Sequence, residues 1–193
     1  MIGIDENIFL WINGLAGHFA PLDWLLKGVA NDYFILVSLC LMLLALWVWG
    51  KNTQQRERSQ RGVICASISL GLAQGFVSIC NIFCFRTRPF DVLPTNLLFY
   101  QPTDSSLPSN SVAVVFAIAF AIFLVNRKAG GVMLALASLH AFSRVYVGIH
   151  YPFDVLAGAA IGIAIAFLVT LAVRKLDKLF DFVMQLARQL CIA

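Results

Sequence analysis

Charge is scarce in this chain. Asp, Glu, Lys and Arg make up 12% of its 193 residues, whereas 60% are hydrophobic. So few charges cannot cover a globular surface in water, and the composition is that of a membrane protein rather than a soluble enzyme or a nucleic-acid-binding module. Paired cysteines are also missing. The five present (Cys40, Cys65, Cys80, Cys84, Cys191) form no CxxC motif, and four lie in apolar runs, which reads as buried thiols rather than a metal or redox centre. No basic leader precedes an unbroken apolar stretch. Asp5 and Glu6 stand there instead, and Gly, His and Pro interrupt the apolar residues after them, so no cleavable signal peptide is expected and the spans themselves direct insertion. Inverted repeats, the mark of many small transporters, are not visible either.

Long apolar runs are what the chain does contain. Tyr33–Trp49, Gly62–Phe85, Ser111–Val125, Gly130–Val147 and Val155–Val173 each approach the roughly 20 residues that cross a bilayer as a helix. Phe9–Val29 is either a broken sixth crossing or two short interfacial helices, with Pro21 opening the second. The tail carries Leu176, Leu179, Phe180, Val183, Leu186 and Leu190 among Lys and Arg, the pattern of an amphipathic helix on an anionic leaflet. The expected fold is an all-α integral membrane bundle of five or six transmembrane helices with amphipathic helices at both termini, one domain over 1–193. Basic residues cluster at Lys51–Arg61, Arg127-Lys128 and Arg174-Lys175-Lys178. These three segments alternate with the other loops, so they share the cytoplasmic side. The long loop Arg86–Pro108 and the turn Gly148–Asp154 then face outward together.

Those outward segments hold most of the titratable groups that an oily chain retains only for pairing or chemistry. Arg144, His150 and Asp154 fall within twelve residues, beside the breaks at Gly148 and Pro152. Arginine grips phosphate with a planar fork, and histidine is a nucleophile or proton carrier near neutral pH. Asp154 follows His150 by four residues and is placed to hold its tautomer. The other loop opens Arg86-Thr87-Arg88-Pro89 and closes Pro108-Ser109-Asn110-Ser111. Ser109 there suits a helix N-cap, and the free N–H groups of a helix start suit an anion. The pattern is an anion site with a histidine nucleophile.

Arg88-Pro89, Pro108-Ser109 and Ser143-Arg144…His150…Asp154 together resemble the type 2 phosphatidic acid phosphatase superfamily of membrane phosphatases, which shares its site with vanadium haloperoxidases. The resemblance runs from the first clear span to the last. It implies that Arg88 and Arg144 hold the phosphoryl oxygens, with Ser109 donating to one and Asn110 beside it. It also implies that His150 becomes a phosphohistidine, that Asp154 orients it, and that neither metal nor cofactor takes part. The substrate would be a membrane lipid phosphate, a polyprenyl diphosphate or phosphatidylglycerol phosphate, at the outer face of a bacterial or archaeal cell membrane.

Two positions depart from that pattern. Asn81 stands where the superfamily has a lysine, a charge that Arg86 could supply. Ser111 stands where it has the histidine that protonates the leaving group. Serine is a poor acid near neutral pH, so impaired catalysis and a non-catalytic lipid-binding relative are both open readings, with a small ion-relay transporter behind them. His140, one turn before Arg144, is expected to be hydrogen-bonded within the bundle rather than a substitute acid. Gly158 and Gly162 read as a tight helix contact. Oligomeric state is left open.

Overall fold

The computed structural model describes residues 3–48, 50 and 52–175, and every regular element among them is a helix. In chain order these are α1 (Ile4–Asn13), α2 (Ala20–Val29), α3 (Phe34–Val48), α4 (Thr53–Phe83), α5 (Pro89–Val92), α6 (Asn110–Val125), α7 (Arg127–Tyr146) and α8 (Pro152–Lys175). The amphipathic tail beyond Lys175 lies outside the described residues.

Helix α6 is the axis of the bundle. It is rich in Ala, Val and Ile with no polar residue after Ser111, and a helix apolar on every side belongs in a core. Val112, Ile118 and Ile122 are buried, and α3, α4, α7 and α8 all pack around it. Glycine sets how closely α8 approaches. A Cβ at Gly158 would lie 2.5 Å from the Ser109 carbonyl oxygen, and one at Gly162 would lie 2.2 Å from that of Ala113. Asn126 closes α6 and opens α7, its side chain accepting from the Ala129 amide at 3.2 Å.

Helix α4 begins nine residues before the apolar run does. Asn52 caps it by accepting from the Gln55 amide, and Gln55, Arg56, Glu57 and Arg58 are good helix formers. Hydropathy marks the lipid-facing part of such a helix, not its ends. By length and composition α4 and α8 can cross a membrane, and α2 with α3 makes a third crossing if the pair, bent by 56°, is one broken span. Helix α6 is apolar but shorter, and the expected count of five or six is reached only with α6 and α7 included. The Phe9–Val29 segment is divided into two ten-residue helices with a turn at Gly17. Each is about 15 Å long, half of a hydrocarbon core.

Helices α1 and α2 sit over one end of the bundle. Their outer faces carry Trp11 and Trp24, both largely exposed. The inner face of α1 is tied down by Asn13. Its amide nitrogen donates to the carbonyls of Asn96 (3.0 Å) and Tyr146 (2.9 Å), and its oxygen accepts from the Asn96 amide (2.8 Å). The turn from α7 to α8 passes beneath. Gly148 adopts φ +91° there, and a Cβ would meet Thr95 Cγ2 at 2.6 Å, so both conformation and space require glycine.

Candidate active site

His150 ends this turn and is 2% exposed. Its Nδ1 lies 3.0 Å from the Ser106 carbonyl oxygen. A carbonyl only accepts, so Nδ1 carries the proton and Nε2 keeps its lone pair. That nitrogen faces Arg88 Nη1 and Arg144 Nη2, each at 3.4 Å. Burial, and then the charges of Arg144 and Arg88, push the imidazole well below its ordinary range. The result is a neutral imidazole with a free nitrogen between two cations.

Both arginines are buried and both are held from behind. Arg88 donates Nε to the Asp104 carbonyl (3.0 Å), Nη2 to the Asp104 carboxylate (2.8 Å) and Nη1 to the Ile149 carbonyl (2.9 Å). Arg144 donates Nη1 to the Ala30 carbonyl (3.0 Å) and to the Asp32 carboxylate, which also accepts from the Tyr100 hydroxyl. Burial works against the Asp32 charge, but Arg144 and the Tyr100 hydrogen bond outweigh it and hold the carboxyl below its usual range. The same burial and Asp32 push Tyr100 up to about 12. Sequence reasoning does not single out Asp32, Tyr100 or Asp104. The available signal is charge balance, since a buried arginine needs a carboxylate.

A cavity of about 340 Å³ opens in front of this group. Its lining combines the charged or titratable Arg88, Arg144, His150, Asp32, Asp104 and Tyr100 with the neutral Gln74, Asn110 and Ser111, and Leu36 and Val114 add apolar wall. Ser109 occupies the N-cap position of α6, yet its hydroxyl makes no capping bond and is buried without a partner. The Ser111 hydroxyl and the Asn110 and Asn81 amide oxygens are likewise buried and unpartnered. These groups can receive or donate hydrogen bonds, but none carries charge.

Two of the sequence-derived roles differ in geometry. Arg86 does not line the cavity. It bridges Asp5 (2.7 Å) and Asp154 and stacks 4.1 Å over the Tyr151 ring, so its charge is committed before it could replace a lysine at Asn81. Asp154 is not bonded to His150. Its carboxylate accepts from the Ser106 hydroxyl, from the Tyr151 amide (3.1 Å) and from Arg86. Pro152 starts α8 after His150, so the histidine lies in the turn and the helical i, i+4 approach does not arise. His140 is bonded within the bundle, Nδ1 to the Val29 carbonyl at 2.8 Å, and is absent from the cavity lining. Among the described residues no group of three or more His, Cys, Asp or Glu side chains could hold a metal ion.

At one end of the helical bundle, then, an imidazole nitrogen is faced by two guanidinium groups. Residues 62–178 match the PAP2 superfamily, and the chain belongs to that superfamily. It is 34% identical over 166 residues to the undecaprenyl-diphosphatase BcrC of Bacillus subtilis, covering 86% of this chain and 82% of that one. Among solved structures it superposes on LpxE of Aquifex aeolicus with a TM-score of 0.69 and 26% identity, over 84% of this chain and 92% of that one. A PAP2-type phosphatidylglycerolphosphate phosphatase of Bacillus subtilis gives a TM-score of 0.65 at 19% identity, over 89% and 85%, and shares the fold.

Proposed function

We propose that this protein hydrolyses a lipid diphosphate through a phosphohistidine, and that undecaprenyl diphosphate or a similar polyprenyl diphosphate is its substrate. The observation that carries the reading is the free Nε2 of His150 set 3.4 Å from both Arg88 and Arg144. In this mechanism the terminal phosphoryl group enters between the two guanidinium groups, whose forks neutralise its oxygens. The Ser109 hydroxyl, otherwise unpartnered, donates to a third oxygen beside the start of α6. Nε2 attacks phosphorus as the bond to the bridging oxygen breaks, and the lipid monophosphate leaves as an anion. Water then attacks the phosphohistidine, phosphate departs and the imidazole is regenerated.

The leaving group decides between diphosphate and monophosphate. An alkoxide needs a proton in the transition state, whereas a lipid phosphate is already a stable anion. With Ser111 at the leaving-group side, the diphosphate is the substrate this chain can still process. A second reading, a lipid-phosphate binder without turnover, is favoured by the same residue together with Asn81. Phosphate release from a polyprenyl diphosphate in vesicles, set against a monophosphate of the same lipid, tests both. Release from the diphosphate alone supports the hydrolase, and tight binding without release supports the binder.

We further propose that α3, α4, α6, α7 and α8 cross the membrane of a bacterial or archaeal cell as one domain. In that arrangement α1 and α2 lie in the outer interface, where Trp11 and Trp24 suit the headgroup region. The site then faces outward, because Arg56, Arg58, Arg61, Arg127, Lys128, Arg174 and Lys175 gather at the other end. A cysteine at Thr103 should react with an impermeant thiol reagent outside intact cells, and one at Gln55 should not. The reverse labelling would turn the site to the cytoplasm.

A further inference from the structure

Asp154 and His150 do not touch, yet one residue touches both. Ser106 lies in the loop before α6 and is fully buried. Its hydroxyl donates to Asp154 Oδ2. That commits the hydroxyl proton and leaves the oxygen lone pairs facing His150 Nδ1, 3.5 Å away. The Ser106 carbonyl takes the same Nδ1–H at 3.0 Å. The proton of Nδ1 is therefore cradled by two oxygens of a single residue. That residue is itself fixed at both ends, its amide donating to the Arg86 carbonyl at 3.0 Å. Behind it, Asp154 is held by Arg86, Arg86 by Asp5 (2.7 Å), and Asp5 accepts from the Phe153 amide (3.0 Å).

We infer that Ser106 is the positioning residue through which Asp154 acts on the nucleophile. The inference rests on the proposed role of His150. When Nε2 bonds to phosphorus, the imidazole gains positive charge, and that charge is felt at Nδ1–H. The carbonyl of Ser106 stabilises it directly. The carboxylate of Asp154 stabilises it by polarising the Ser106 hydroxyl, whose oxygen becomes the better acceptor. Ser106→Ala removes the hydroxyl and keeps the carbonyl, so it cuts the Asp154 contribution and leaves the tautomer in place. Asp154 and Ser106 then form one unit, and the effects of removing them do not multiply.

The test is a double-mutant cycle on the full chain in detergent or vesicles, with Ser106→Ala, Asp154→Asn and the pair. Two readouts are used: kcat and KM for phosphate release from a polyprenyl diphosphate, and affinity for orthovanadate measured by vanadium NMR. Vanadate bonded to Nε2 places the same charge on the ring without turnover. Ser106→Ala should lower kcat by about 10-fold with KM within about twofold, and the pair should be no slower than the slower single variant. Vanadate affinity should show the same non-additivity. If Ser106→Ala is poorly produced, Ser106→Cys replaces it, keeping the shape with a weaker donor. Losses that multiply in either readout would overturn the linkage, as would wild-type protein that binds no vanadate. Non-additive vanadate binding without phosphate release would leave the Ser106 linkage standing and remove the hydrolase reading.

Discussion

The charged and the neutral parts of the cavity lining are built differently. In the charged part, around His150, each arginine has a carboxylate: Arg88 has Asp104 and Arg144 has Asp32, and behind the cavity Asp154 has Arg86. His150 is bonded at Nδ1 and open at Nε2. The neutral part of the lining includes Asn110 and Ser111, each with a buried oxygen that finds no partner. Buried polar atoms without partners cost stability unless water or a ligand completes them. The contrast separates two tasks. In the proposed mechanism, holding a phosphoryl group and attacking it requires fixed charge and a fixed tautomer, and the charged part supplies both while Arg144 Nε and the Ser109 hydroxyl stay unpartnered. In that mechanism, assisting departure requires a proton donor matched to the leaving group, and the neutral part offers hydrogen bonds alone.

Removing the proposed attacking atom should give the largest effect. His150→Ala is expected to lower kcat for diphosphate release by at least ~10³-fold, with an unchanged helical circular dichroism spectrum. Unchanged hydrolysis in the purified variant would end the nucleophile assignment. The next largest effect should come from moving the two parts apart without touching either. Gly158 of α8 lies against the Ser109 carbonyl, where a Cβ would come within 2.5 Å. Gly158→Ala should force α8, which carries Asp154, away from the start of α6. A shift of about 1 Å can cost on the order of 10²-fold in rate, and overpacking costs about 1–3 kcal/mol in stability. Kinetics and thermal unfolding of the same sample would read both, and a variant that keeps its kcat would show that the parts are not coupled through this contact.

The comparison also explains what the sequence made legible. His150, Arg88 and Arg144 stand out because charge and imidazole are rare in an apolar chain, and their convergence within 3.4 Å follows from their shared end of the bundle. Of their acidic partners, Asp32 was hidden by distance along the chain, whereas Asp104 lies 16 residues from Arg88 in the same loop. Asp32 is 112 residues from Arg144, and both Asp32 and Asp104 sit in connecting segments with no periodic pattern to place them. The start of α4 at Thr53 was hidden for a different reason. Its first turns are polar, and hydropathy reports solvent rather than helicity. The link from Asp154 to His150 could not be read from a four-residue spacing, because the helix that would impose that spacing begins only at Pro152.

A smaller change, but of opposite sign, should come from adding a proton donor to the neutral part. Ser111→His places an imidazole in the cavity wall, where a general acid is worth about 10²–10⁴-fold when fully engaged. Turnover of a lipid monophosphate should rise by at least ~10-fold, and that of the diphosphate by less, because its leaving group needs the proton less. A phosphate-release assay on both substrates decides. No gain on either would mean that Ser111 is not beside the leaving oxygen, and the non-catalytic reading would gain.

The smallest effect expected is in the pH profile, and its sign separates the two parts. In the proposed mechanism His150 must be neutral to attack, and burial with Arg144 and Arg88 lowers its proton affinity. A lowered value moves the acidic limb down, so the nucleophile stays competent below the ~6.5 of an ordinary histidine. Between pH 7.5 and 6, a histidine at that ordinary value would cost about fourfold in the neutral fraction, whereas this chain should lose less than about twofold from its nucleophile. Ser111→His should behave in the opposite sense, since an acid works only while protonated and its contribution falls as pH rises through its own titration. Any limb contributed by the substrate phosphate is common to both chains, so the difference between the two kcat profiles isolates the new acid. A basic limb present only in Ser111→His would assign the donor role to position 111. Identical profiles would show that the leaving-group side takes no part in proton transfer in either chain.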